Sequence, residues 1–222
     1  MNLFPDWLPR SNTVNLLAGA FLLTALLVVS WRRQLECIAA LRANAVALAS
    51  IAITVALATR TREIALAGLL ALIVKAGILP ALLAARARRA AAADVRALVS
   101  LPAGALVCGA LVVLAFSQTR ALFGSRVDIL AACLPVSVAV TLIGLFVMVT
   151  RRQALMQVVG LVLVENAIFL AAVSLAYGMP LVVEIGVLLD LLAGVAVMGL
   201  SLQRLDEGLG ERDTPSLTRL RS

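Results

Sequence analysis

Residues 155–177 read LMQVVGLVLVENAIFLAAVSLAY. At ~1.5 Å of rise per residue this stretch makes a helix of ~34 Å, long enough to cross the ~30 Å hydrocarbon core of a bilayer. Its middle carries Glu165 and Asn166. A carboxylate at that depth is costly, so it faces protein or a polar path and not lipid. The stretch therefore asks for neighbours: a bundle of membrane helices with its polar groups turned inward.

Six further stretches have the same character, at roughly 13–31, 35–58, 63–85, 97–116, 127–149 and 181–202. The chain is 63% hydrophobic and 14% charged, with a mean hydropathy of +1.07. That composition belongs to a polytopic membrane protein and leaves no room for a soluble domain. The longest polar stretch is the tail, 204–222. The expected fold class is all-α: one integral membrane domain over 1–222, a bundle of about seven transmembrane helices. It divides into four amino-terminal helices (1–126), a three-helix unit (127–203) and the tail. The first apolar stretch follows Arg10 without a small-residue cleavage site, which predicts a retained helix.

Orientation follows from the arginines. With seven crossings, the loops on one side carry five Lys or Arg and those on the other carry twelve, among them Arg32-Arg33, Arg86/Arg88/Arg89 and Arg151-Arg152. The richer side is cytoplasmic. The amino terminus is then outside and the carboxyl terminus in the cytoplasm, which predicts a multi-pass protein of a cytoplasmic membrane. The same placement of arginines at helix ends accounts for the net charge of +7 without invoking nucleic acid as a partner.

The chain has no histidine and three separated cysteines, Cys37, Cys108 and Cys133. No haem ligand pair, metal-ligand spacing or disulfide framework results. No phosphate loop or dinucleotide fingerprint is present. The chain is expected to carry no cofactor or metal and no catalytic residue of its own.

Chemistry must then rest on charges inside the membrane. Counted from the cytoplasmic arginines, Arg42, Lys75, Glu165 and Asp190 lie ~14 to ~21 Å up their helices, near one level. Two are positive and two negative, so they are candidates for proton or ion coupling; static pairing of helices is the competing reading. Glu184 falls nearer the outer surface. Lys75 precedes Pro80, which cannot donate to the carbonyl of Ala76 and opens the backbone one turn beyond the lysine. Arg42 is shallow enough for its side chain to reach the cytoplasmic interface. Gly186, Asp190 and Gly194 recur every fourth residue and share a face on which another helix can approach closely.

There is also an internal echo. Arg32-Arg33-Gln34 opens the second stretch and Arg151-Arg152-Gln153 the sixth, and each is followed by Asn-Ala, at Asn44-Ala45 and Asn166-Ala167, with spacings that differ by three. A parallel repeat and chance in an Ala- and Leu-rich chain both explain it.

The carboxyl-terminal third resembles component E of the hydrogenase-4 and formate hydrogenlyase complexes. The residues are Arg151-Arg152-Gln153, Gly160-Leu161, Glu165-Asn166-Ala167 and Val183-Glu184-Ile185-Gly186 followed by Asp190. Val74-Lys75 and Pro80 look like that family's third helix. Residues 127–203 are also similar to the three-helix K-type subunit of complex I and the C subunit of multisubunit sodium/proton antiporters. Those place a glutamate directly after Gly-Leu, where this chain has Val162; its carboxylate is Glu165.

The resemblance implies a cofactor-free membrane subunit of an energy-converting nickel–iron hydrogenase complex. Its partners would be other membrane subunits, antiporter-like ones included, peripheral hydrogenase subunits reached through the complex, and the lipid bilayer. Redox chemistry would lie in those partners, and this chain would help couple it to proton or sodium movement. The alternatives are a subunit of a cation/proton antiporter without redox partners, and a purely structural scaffold.

Overall fold

The computed structural model describes residues 12–59, 62–89, 99–123 and 133–176, and all regular structure among them is helical. The elements are α1 (Asn12–Ser30), α2 (Gln34–Thr59), α3 (Arg62–Ala71), a π-helical stretch (Leu72–Ile78), α4 (Leu79–Arg89), α5 (Leu101–Phe123), α6 (Cys133–Thr150) and α7 (Ala154–Ala176). Six spans among the described residues are long and apolar enough to cross a membrane; Ile64–Arg88 is one of them and runs through α3, the π stretch and α4. The protein is a multi-pass helical membrane protein. Six of the expected stretches are helices. The seventh, 181–202, lies outside the described residues, and with it Asp190, Glu184, Gly186, Gly194 and the tail.

The fourth stretch was expected at 97–116, and its helix runs from Leu101 to Phe123. Pro102 explains the start. It is tolerated in a first turn, where its missing N–H leaves no intrahelical bond unmade. Ser100 stands just before, its carbonyl accepting the Gly104 amide at 2.9 Å. The helix outlasts Phe116 because its polar residues are satisfied within it: Ser117 donates to the Leu114 carbonyl at 2.9 Å and Thr119 to that of Ala115 at 2.7 Å. Such back-bonding lets a hydroxyl enter lipid without a partner helix.

Short links make antiparallel hairpins of α1 with α2 and of α6 with α7. The two hairpins meet α1 on α6 and α2 on α7. The α3–α4 span lies along α2, and α5 lies outside, on α6 and α1. Burial follows this order: 67% of the α7 span and 61% of the α2 span are buried, against 17% of the α5 span. The two central helices are those that carry Asn44, Glu165 and Asn166. Polar groups that lipid would leave unsatisfied go to the middle of the bundle.

Lipid gives no hydrophobic drive for helix association, so close backbone approach takes over. It is tightest between α6 and α7. A Cβ on Gly144 would come within 2.9 Å of the Gly160 carbonyl oxygen, and a Cβ on Gly160 within 2.9 Å of the Gly144 carbonyl oxygen. The three cysteines are buried and form no disulfide.

Candidate functional site

Lys75 sits in the middle of the π-helical stretch, where the helix takes one extra residue into its turn: the amide of Leu79 bonds to the carbonyl of Val74, five residues back. The expected irregularity beside Pro80 takes the form of this π turn. The backbone is widened at Lys75 itself and regular again from Leu79, one residue before Pro80. Pro80 offers no amide to Ala76, and the helix nonetheless continues through the π turn into α4.

The lysine side chain crosses to α7. Its Nζ lies 2.9 Å from Oε1 of Glu165, with the two side chains only 1% and 4% exposed. Phe169, one turn further along α7, presents its ring centroid 5.5 Å from the same ammonium. A cation over an aromatic face gains electrostatically, more so without water. The lysine is thus held by a carboxylate and a ring from one helix, at the depth where lipid would be least forgiving.

Next to Glu165 the polar contacts continue toward α2 and α1. Asn166 donates from Nδ2 to Oδ1 of Asn44 at 3.1 Å. Asn44 donates from its own Nδ2 to the Phe21 carbonyl at 2.9 Å and to the Thr24 hydroxyl at 3.1 Å. Both asparagines are fully buried. Where the same two helices begin, Gln34 donates to Oε1 of Gln153, the residue before α7, at 3.0 Å. Arg151 is buried too, its Nη2 donating to the Val29 carbonyl at 2.8 Å near the end of α1. Burial holds this guanidinium below its ordinary value. An arginine counted toward orientation therefore also caps a helix whose last carbonyls need donors.

Of the expected site residues, the structure brings Lys75 and Glu165 together. Arg42 is exposed on the outer face of α2 and pairs with no carboxylate among the described residues. Pro80 is buried in the first turn of α4. Sequence reasoning missed Phe169, Arg151 as a cap, and the contacts joining Gln34 to Gln153 and Asn44 to Asn166. The last two were signalled, because both pairs belong to the repeated Arg-Arg-Gln and Asn-Ala elements.

Fold and site define a polytopic membrane protein with a desolvated charge pair at the seam of its bundle. The chain is 35% identical to uncharacterized protein Rv0085 of Mycobacterium tuberculosis, over 94% of its own length and 96% of that protein's. It belongs to the same family as that protein. It is also 28% identical to hydrogenase-4 component E of Escherichia coli strain K12, over 95% of this chain and 98% of that one, and to the same extent to hydrogenase-4 component E of Shigella flexneri. No protein-family model matches the chain, and no solved structure does.

Proposed function

We propose that the chain is a membrane subunit of an energy-converting hydrogenase complex, and that the Lys75–Glu165 pair helps couple redox chemistry in partner subunits to proton or sodium translocation. The full-length likeness to hydrogenase-4 component E supports the first part. The observation that carries the second is the 2.9 Å pair itself, enclosed between a π-helical turn and α7. A carboxylate held away from water stays ionised only while a cation faces it. Displacing Lys75 makes Glu165 take up a proton, and its return expels that proton. The extra residue in the turn beneath Lys75 is a place where such a displacement can be absorbed, since π turns mark functional sites in many helices.

Glu165→Gln tests the reading. The substitution keeps volume and hydrogen-bonding atoms and removes the titratable proton. In vesicles containing the whole complex, proton movement per turnover falls while complex yield is kept. A merely static pair behaves otherwise: the stranded lysine costs about 3–5 kcal/mol, yield falls, and exchanging the residues (Lys75→Glu with Glu165→Lys) restores it together with normal flux. Full coupled flux in Glu165→Gln would sink the coupling role. Nickel–iron subunits co-purifying with the tagged chain support the hydrogenase assignment; antiporter subunits alone would replace it.

A further inference from the structure

Three helix ends meet beside Arg151. α1 and α6 finish there and α5 begins there, packed on both. Between these ends lies a partly open cleft of about 280 Å³, whose walls include Val29, Ser100, Gly104, Phe146, Thr150 and Arg151. Its enclosed part has room for one group the size of a water molecule. Gly104 leaves that room: a Cβ added to it would meet Val29 at 3.6 Å and Phe146 at 3.9 Å. The two Arg-Arg-Gln elements differ at this point. Arg32 and Arg33 after α1 are exposed, and so is Arg152 after α6, but Arg151 is only 4% exposed.

Arg151 brings more donors than its surroundings satisfy. Nη2 serves the Val29 carbonyl. Nη1 is buried and meets no acceptor. A charged donor taken out of water without an acceptor is costly, and such groups are rare without a cause. Across the same cleft stands the first turn of α5. The amides of Leu101 and Ala103 fall where a helix offers them no acceptor, and Pro102 between them has no amide. Gly104 is served by the Ser100 carbonyl. Ser100 itself is exposed at the mouth. The positive end of a helix and a buried guanidinium thus share one cleft, and no carboxylate lines it among the described residues.

We infer that this cleft binds a phosphate group, one oxygen entering between Arg151 and the first turn of α5 while the rest of the anion stays at the mouth. Free amides at a helix start and a guanidinium fork are the two donor sets that suit phosphate oxygens best. Depth agrees. α6 is 18 residues long, or ~27 Å, so its arginine end reaches the membrane surface, where lipid phosphates lie. Arg32, Arg33 and Arg152, exposed at the same end, raise the local concentration of anions. A lipid headgroup and free phosphate offer the same chemistry here.

The test reads binding, not flux, so it stands apart from the coupling role. The full-length chain, washed free of lipid in an uncharged detergent at constant ionic strength, is titrated with inorganic phosphate and with dihexanoyl phosphatidylglycerol, and the thermal midpoint is followed. A saturable rise with either supports the inference. The lipid acting at the lower concentration assigns the site to a headgroup; phosphate acting alone assigns it to the free anion. Ser100→Asp is the main variant. Aspartate is a good N-cap, so the helix stands, but its charge at the mouth repels the ligand and raises the apparent Kd several-fold. Arg151→Lys keeps a cation for the Val29 carbonyl and loses the second arm of the fork, raising the apparent Kd about tenfold. Arg152→Gln leaves it unchanged. No saturable rise in the unaltered chain means that water satisfies Nη1, and the inference fails. It fails too if Ser100→Asp binds as well as the unaltered chain, or if Arg152→Gln loses as much as Arg151→Lys, the mark of diffuse attraction to a basic surface. Asp94 is the carboxylate nearest to Ser100 along the chain. A phosphate response that appears only in Asp94→Asn would show the chain filling its own cleft, and overturns the inference as well.

Discussion

Asn44 and Asn166 bear the largest structural demand of any neutral residues in the bundle. Asn44, fully buried, bonds Asn166 and two groups of α1, and Asn166 bonds Asn44. Replacing Asn166 with Leu strands the Oδ1 of Asn44, an unpaired buried acceptor that costs about 1–3 kcal/mol. Asn44→Leu removes three contacts instead of one, those to Phe21, Thr24 and Asn166, although the Phe21 carbonyl keeps the Thr24 hydroxyl. The thermal midpoint of the purified complex is expected to fall in both, further for Asn44→Leu. Phe169→Leu keeps bulk but removes the ring; its loss of about 1 kcal/mol is read in the same assay, and equal stability to wild type would deny the ring a part in holding Lys75. These contacts show what the residues alone disclose. Intramembrane charge and amide positions can be read directly, because lipid makes each of them exceptional. Partners cannot: the residue count sets Lys75, Arg42, Glu165 and Asp190 near one expected level, and only the placement of helices says which two meet.

Element positions were legible for the same reason. Long apolar stretches between arginines locate spans, and the described helices follow them closely, except where Pro102 delays α5 and back-bonded hydroxyls prolong it. Faces were less legible. A membrane helix is apolar all round, so no amphipathic pattern separates the side turned to lipid from the side turned to protein. Close contacts have to be read from small residues, and these abound without meaning. Gly144 and Gly160 touch, while Gly19 and Gly109 have nothing within 4 Å of an added Cβ. The π stretch left no mark in the sequence beyond Pro80. A graded prediction follows. Gly144→Val or Gly160→Val drives a side chain into backbone and costs about 1–3 kcal/mol, visible as reduced complex yield. Gly109→Val is expected to be tolerated. Equal yields for the three variants would remove the α6–α7 contact.

At the scale of the whole molecule, the two hairpins make a bundle whose interior is polar in the middle and at one end. Glutamine, asparagine and the charge pair run along α2 and α7, and α5 stands apart from them. Orientation remains a prediction of the arginine count. Tags on both ends, probed in intact cells, are expected to show the amino terminus outside and the carboxyl terminus protected. The reverse pattern would invert the bundle and put Gln34, Gln153 and Arg151 on the outer side.

The distance along the chain between the paired charges has a consequence for how the protein is made. Lys75 enters the membrane ninety residues before Glu165 is synthesised, a gap of roughly 5–18 s at ordinary ribosome speeds. During that time the third span must insert with an uncompensated ammonium near its centre, at about 2.5–3.5 kcal/mol on an insertion scale. The strongly apolar remainder of that span has to carry it. The lysine span is thus a late arrival in the fold even though it is an early product of translation, and it locks only after α7 brings its carboxylate. Chains stalled before residue 150 are expected to hold that span loosely, open to modification at Lys75 by a membrane-permeant amine reagent. Chains released beyond α7 close the pair and lose that reactivity.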